Sequence, residues 1–314
     1  MNEEPRAAES LDVVVPPLLD AVRVDRAVAM LTGLTRSEAA ALVSAGAVTL
    51  DEVVVARGSV ALRAGQRLFA VLPADEGDAV AADPSVEVRV LVEDDAFLVV
   101  DKPPGLVVHP GAGHKDGTLV AGLLARYPEL EAVGRVEGSS PSRPGIVQRL
   151  DKGTSGVLVV ARTPASYRSL TAQLQARSVE RVYLGLVEGS VADERGVIDA
   201  PIGRSQRTPT KMAVRAGGRP ARTAYQVLER REGPTRTLLE LRLESGRTHQ
   251  IRVHLSAIGR PIVNDPRYGS RREPALEEGR VFLHATVLAF DHPVTGERVR
   301  TTVELPGDLA ALLG

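Results

Sequence analysis

From Val86 to Leu305 the chain keeps returning to one short pattern, a β-branched run closed by Gly, Pro or Asp. The runs are VEVRVLVED, FLVVD, GIVQRL, GVLVVAR, RVYLGLVEG, TAYQVLE, RTLLELRLE and VRTTVEL. Val and Ile are stiff at Cβ and suit a pleated surface, and the punctuating residues set the strand lengths. Helical stretches interrupt them, including SYRSLTAQLQARS and THQIRVHLSAIG. Many strands with few helices predict an α+β domain around a mostly antiparallel mixed sheet. Aromatic residues are only 3 % of the chain while hydrophobic residues reach 43 %, so Val, Leu, Ile and Ala must build the core.

With 314 residues there is room for a second, smaller domain. Residues 1–20 read as a tail ending near Pro16 and Pro17. Residues 21–75 read as a small α/β unit, 76–86 as an acidic, turn-rich linker, and 87–310 as the large domain. In the small unit RVDRAVAMLTGL and EAAALVSAG read as helices. Thr35 with Glu38 suggests a capping box, and Gly46 a helix stop. AVTLDEVVV and QRLFAVLP then read as strands.

Composition removes several function classes. There is no cysteine, hence no disulfide, thiolate metal site or cysteine nucleophile. No apolar stretch approaches the roughly 18–20 residues of a membrane span, and the acidic start is unlike a signal peptide. A cytoplasmic protein is the expectation. The formal net charge of -1 argues against an indiscriminate nucleic-acid binder yet allows a local basic groove. Of the 39 Lys and Arg residues only Lys102, Lys115, Lys152 and Lys211 are lysines, and guanidinium groups grip phosphate bidentately. His109, His114, His284 and His292 lie far apart without paired metal-ligand spacing, so no metal is expected.

Two segments carry the chemistry. In GIVQRLDKGTSGVLVVAR, two apolar runs flank a polar knot from Gln148 to Gly156 that contains Arg149, Asp151 and Thr154. Asp151 reads either as a functional carboxylate at a strand end or as an Asx turn joining two strands. In LESGRTHQIRVHLSAIGRPIVNDPRYG, Thr248 can cap a helix that Gly259 ends. His249, Arg252 and Ser256 then share one face, opposite Ile251, Leu255 and Ile258. An arginine on that face can pair bidentately with a carboxylate and aim it, or remain solvated. Tyr183, in RVYLGLVEG, reads as a cross-strand packing residue or a platform for an unstacked base.

These segments resemble the RluA/RluD family of pseudouridine synthases. QRLDKGTSG is similar to the family core H-R-L-D-x-x-T-S-G, and GRTHQIRVH to its G-R-[ST]-H-Q-[IL]-R-x-H motif. DKPPGLVVHPG, GRPARTAYQV and FLHATVLAFDHPVTG follow other family patterns in order. The small unit resembles an S4 RNA-binding domain. The resemblance implies a pseudouridine synthase catalytic domain that isomerises uridine in structured RNA without cofactor or metal. Ribosomal RNA of the large subunit is the first expectation and transfer RNA the alternative. DNA and membrane partners are not expected, and a monomer is the default. By the same resemblance Asp151 is the nucleophile, Arg252 pairs with it, and Tyr183 packs against the target base and handles protons. Arg149 enters the RNA as the base leaves. Gln148, Thr154, Arg247 and His249 lie within the two motifs and are expected at the RNA. So are Arg207 and Lys211 of a basic hairpin spanning 204–222, and Arg26 and Arg36 of the small unit. Gln148 departs from the family histidine. Glutamine keeps hydrogen-bonding capacity but cannot titrate, which suits a structural role. That departure leaves open a non-catalytic RNA clamp. A glycoside hydrolase ranks last, since no second carboxylate is marked.

Overall fold

The computed structural model describes residues 10–314 except 33, 35, 73–78, 112–115, 137, 138, 206, 207, 209, 210, 270 and 271. The chain divides into two compact units, Met1–Gly77 and Asp78–Gly314. Among the described residues no helix is long and apolar enough to cross a membrane.

In the first unit, strand β1 (Ser10–Val14) precedes helices α1 (Val24–Thr32) and α2 (Arg36–Ser44). Strands β2 (Val48–Leu50), β3 (Val53–Val54) and β4 (Arg67–Val71) follow, in sheet order β1-β4-β2-β3. Val24, Ala27 and Val28 of α1 and Ala39 and Val43 of α2 share a core with Val48, Leu50, Leu68 and Ala70. Gly46 stops α2, as expected, with φ +73° and its N–H on the Val43 carbonyl at 3.1 Å. Thr35 lies outside the described residues. The expected tail is corrected from Ser10 onward, because β1 pairs antiparallel with β4 along five residues. Five residues ahead of a Pro-Pro pair give too short a period for the alternation to be read.

The second unit contains strands β5 (Arg89–Glu93), β6 (Phe97–Lys102), β7 (Ser155–Ala161), β8 (Glu180–Glu188) and β9 (Arg195–Asp199). Strands β10 (Ile202–Arg204), β11 (Met212–Val214), β12 (Arg222–Arg231), β13 (Arg236–Leu243), β14 (Leu283–Asp291) and β15 (Arg298–Thr302) complete it. Among the described residues nine of these form one sheet, β5-β6-β7-β14-β8-β13-β12-β9, with β15 also on β14. Its pairings are antiparallel except β7 with β14. Every residue of β7 is buried, so the sheet is covered on both faces there. Helices α3 (Leu119–Arg126), α4 (Leu130–Val133), α5 (Pro164–Gln175), α6 (Gln250–Ala257) and α7 (Gly307–Ala310) accompany the sheet. Helix α5 starts where its sequence directs: Thr163 caps the Ser166 N–H at 3.1 Å and Pro164 occupies the first turn.

The run GIVQRL is not a strand; only Ile146 bridges, to Val160. Gly145 has φ +74°, and a Cβ there would lie 2.5 Å from the Ala161 carbonyl. The chain therefore crosses β7 closely and turns away, leaving 147–151 free of the sheet.

Candidate active site

Asp151 opens the turn between Ile146 and β7. The Thr154 N–H returns to its carbonyl at 3.0 Å. Two glycines allow this turn to nest against the sheet. A Cβ on Gly153 would meet the Gly279 carbonyl at 2.0 Å, and one on Gly156 (φ +115°) would meet the Ala285 carbonyl at 2.1 Å. Two buried cations tie the turn down. Lys102 donates from Nζ to the carbonyls of Pro103 (2.8 Å), Leu106 (2.9 Å) and Lys152 (3.4 Å). Arg280 donates to the Gly153 carbonyl and to Ser155 Oγ, both at 3.0 Å. Burial pulls the Lys102 ammonium down to about 7. Its three carbonyl partners are the local structural reason it is kept in the core.

Arg252 reaches Asp151 from α6. Its Nη1 donates to Asp151 Oδ2 at 2.8 Å, while Nε and Nη2 form a bidentate pair with Asp265 at 2.8 and 2.9 Å. The sequence reading is corrected here in two ways. Arg252 is buried rather than on an open helix face, and its bidentate partner is Asp265, with Asp151 held by one bond. Burial works against the Arg252 charge, but the bonds to Asp265 and the charges of both aspartates outweigh it and raise its pKa. Burial likewise opposes the Asp265 carboxylate, yet Arg252 and the Arg267 and Tyr268 N–H groups hold it below the usual range. Asp151 remains 18 % exposed, and among the described residues no hydrogen bond engages its Oδ1.

A cavity of about 630 Å³ opens on this carboxylate, lined among others by Gln148, Arg149, Tyr183 and Arg247. A smaller recess of about 50 Å³ adjoins Asp151 and adds Thr154, His249 and Arg252. Tyr183 stands on β8 and is 6 % exposed. Burial pushes its phenol up to about 12; Arg181 draws it back and Asp151 adds to the rise. The Thr154 hydroxyl is buried without a partner among the described residues. His249 takes a left-handed conformation (φ 56°) at the start of α6 and bonds through Nδ1 to the Tyr268 hydroxyl at 2.8 Å. Burial lowers its pKa, with Asp151 opposing. Thr248 does not cap α6 as expected, because its hydroxyl is bonded to Arg149. Gln250 serves that end instead, accepting the Arg247 N–H at 3.0 Å.

Eight of the expected residues thus surround two adjoining hollows: Asp151, Tyr183, Arg252, Arg149, Gln148, Thr154, Arg247 and His249. Lys211 lies elsewhere, on the β10–β11 ribbon, where its Nζ donates to the Arg267 carbonyl at 2.6 Å. Arg207 lies outside the described residues. Arg26 and Arg36 are exposed in the first unit, Arg36 at 3.9 Å from Asp25. Sequence reasoning missed Asp265, Lys102, Arg280 and Arg181. Asp265 stands in the quoted segment IVNDPRYG, and Lys102 in DKPPG, where a lysine inside an apolar run was the available signal. A larger hollow of about 1020 Å³, lined by Asp101, Lys102, Ser155 and His284, does not include Asp151. There His284 Nδ1 bonds Ser155 Oγ at 2.9 Å, while His284 Nε2 is buried without a partner among the described residues.

Comparison with known proteins agrees with this geometry. The RNA pseudouridylate synthase family matches residues 96–257, just over half of the chain. Ribosomal large subunit pseudouridine synthase D of Pseudomonas aeruginosa is 42 % identical, over 98 % of this chain and 94 % of that protein. An uncharacterized RNA pseudouridine synthase of Chloroflexus aurantiacus is 45 % identical, over 98 % and 93 %. Among solved structures, human RNA pseudouridylate synthase domain containing 1 aligns with a TM-score of 0.54 and 29 % identity, covering 70 % of this chain and 84 % of that one. A carboxylate held by a buried arginine, in a domain matched over this span, makes the chain a member of the RNA pseudouridylate synthase family and an RNA pseudouridine synthase.

Proposed function

We propose that this enzyme isomerises specific uridines of large-subunit ribosomal RNA, with Asp151 as the nucleophile. The carrying observation is the Asp151 carboxylate, one oxygen fixed at 2.8 Å by Arg252, in a residue that lines an arginine-rich cavity. The names of full-length relatives support the ribosomal substrate.

Pseudouridine formation breaks N1–C1′, turns the uracil and closes C5–C1′. No atom is gained or lost, so neither oxidant nor group donor is required. The target base must leave its stack, at a cost of a few kcal/mol in a duplex and less in a loop. Arg149, exposed at the cavity rim, is the residue to fill the gap. The open oxygen of Asp151 then acts on the sugar, by attack at C1′ or by removal of the C2′ proton. Arg252 is anchored through Nε and Nη2 by Asp265, so its Nη1 aims Asp151 from a fixed position. Tyr183 packs against the base. With its phenol pushed up to about 12 it is protonated at neutral pH, so it relays the C5 proton rather than storing it. Exposed Arg26 and Arg36 give the first unit the role of an S4-like RNA tether. The reading takes the enzyme as a cytoplasmic monomer.

Mapping of pseudouridine in total RNA by carbodiimide adducts and reverse-transcription stops tests this, in cells lacking the protein. Ribosomal stops should vanish and return with wild type but not with Asp151→Asn. An unchanged map, or rescue by Asp151→Asn, would overturn the assignment.

A further inference from the structure

Among the described residues three arginines are buried, and two of them are neutralised: Arg252 by Asp265 and Asp151, and Arg280 by Asp308 at 2.6 Å. Arg181 is the third. It is 8 % exposed, and no carboxylate of the described residues lies within bridging distance. Its Nη2 makes one long bond to the Leu243 carbonyl at 3.3 Å, and its Nε is buried without a partner. A desolvated guanidinium without a counter-charge is costly, and arginine cannot escape by losing its proton. Burial does push its pKa down, which is the same strain expressed as titration.

Arg181 lines the 630 Å³ cavity and stands two residues before Tyr183 on β8, so both side chains leave the same face of the strand. Arg143, Arg149, Arg177, Arg219 and Arg247 line that cavity too. Apart from Asp151, the one acidic lining residue among the described residues is Glu244, which Arg222 (2.9 Å) and Arg177 (3.7 Å) already occupy. Gly246 packs close to the guanidinium, and a Cβ there would crowd the Arg181 side of the cavity, 3.0 Å from Nη1.

We propose that Arg181 anchors an anion subsite that grips a phosphodiester group of the RNA beside the target uridine. This rests on the isomerase reading above. A phosphate supplies both the negative charge and the two oxygens that fit a guanidinium fork, whereas a uracil carbonyl supplies no charge. Adjacency to Tyr183 places the gripped group next to the flipped nucleotide rather than on a distant helix. Arg181 is thus a residue that fixes which nucleotide is presented to Asp151.

The test uses the full-length enzyme and a synthetic RNA stem-loop that wild type converts. Each phosphate flanking the target uridine is replaced in turn by a neutral methylphosphonate, and kcat/KM is measured for wild type, Arg181→Gln and Arg181→Lys. At one position wild type should lose about tenfold or more, the size of a charge-assisted contact. Arg181→Gln should show almost no further loss at that position and the full wild-type penalty elsewhere. Arg181→Lys keeps the charge but not the fork, so its penalty should shrink there and nowhere else. That second variant carries the test if Arg181→Gln fails to fold. No sensitive flanking phosphate in wild type, or an undiminished penalty in the variants, overturns the subsite. An altered pH profile with an undiminished penalty also overturns it and assigns Arg181 to Tyr183 alone. A wild type that converts no uridine fails earlier and sinks the isomerase reading itself.

Discussion

At Arg252 one guanidinium serves two carboxylates of unequal freedom. The Asp265 side chain is fully buried and takes two bonds; Asp151 takes one and keeps an open oxygen. Replacing Asp265 by Asn leaves a buried cation half compensated. Stability should fall by about 3–5 kcal/mol, as when one partner of a buried pair is removed. Activity should fall by about 100-fold through misplacement of Asp151 alone. Urea unfolding and single-turnover kinetics on Asp265→Asn check the two numbers separately. Asp151 and Arg252 were legible as site residues because each sits in a dense local motif, whereas Tyr183, a lone strand tyrosine, was marked only by the family resemblance. Asp265 was harder to assign, since nothing local tells an aspartate in a Pro-bounded turn that its partner lies 13 residues upstream. Arg181 was invisible for a different reason: a strand arginine declares neither its burial nor the lack of a carboxylate opposite it.

Among the elements, β14 couples the Asp151 turn to the rest of the sheet, through His284 and Ala285 beside Ser155 and Gly156. His284 is buried there, and burial with the nearby Arg280 charge lowers its pKa from 6.5 to about 4. Between those values the unfolded chain binds a proton that the folded one refuses. Stability is therefore full above pH 6.5 and drains as pH falls toward 4, by at most about 3 kcal/mol. His284→Gln should lose less stability than wild type between pH 7 and pH 5, by about 2 kcal/mol, in urea unfolding at the two pH values. His109, His249 and His254 are shifted in the same direction, so only the difference between the proteins reports His284. Strand periodicity made β6, β7, β8, β12 and β13 readable, because each is long and flanked by punctuation. Strands β10 and β11, three residues each, are too short for periodicity to mark, although a hairpin was expected over 204–222 and the two do pair antiparallel. The error at GIVQRL is instructive: apolar content predicts a strand, but Gly145 and the close crossing over β7 decide against it.

At the scale of the molecule, each unit owns a hydrophobic core. Leu98, Leu158, Leu186 and Phe290 belong to one; Val28, Val43 and Leu68 belong to the other. A chain of residues 78–314 should fold alone and still isomerise uridine. Its KM should rise by roughly tenfold or more through loss of a tethered RNA contact. Thermal unfolding and single-turnover assays of that fragment decide it, and an unchanged KM would remove the tether role from the first unit.

The nesting of Gly153 and Gly156 against neighbouring carbonyls has a bearing on how the enzyme meets its surroundings. Backbone contact and the buried Arg252 fork lie where mobile ions hardly penetrate, whereas Arg149 and much of the cavity rim stand in solvent. On the proposed reading, salt weakens capture of RNA at the rim while leaving the Asp151 carboxylate set as before. As ionic strength varies, encounter then becomes adjustable while the chemistry stays constant, so the frequency of modification can change with conditions without a change in its fidelity.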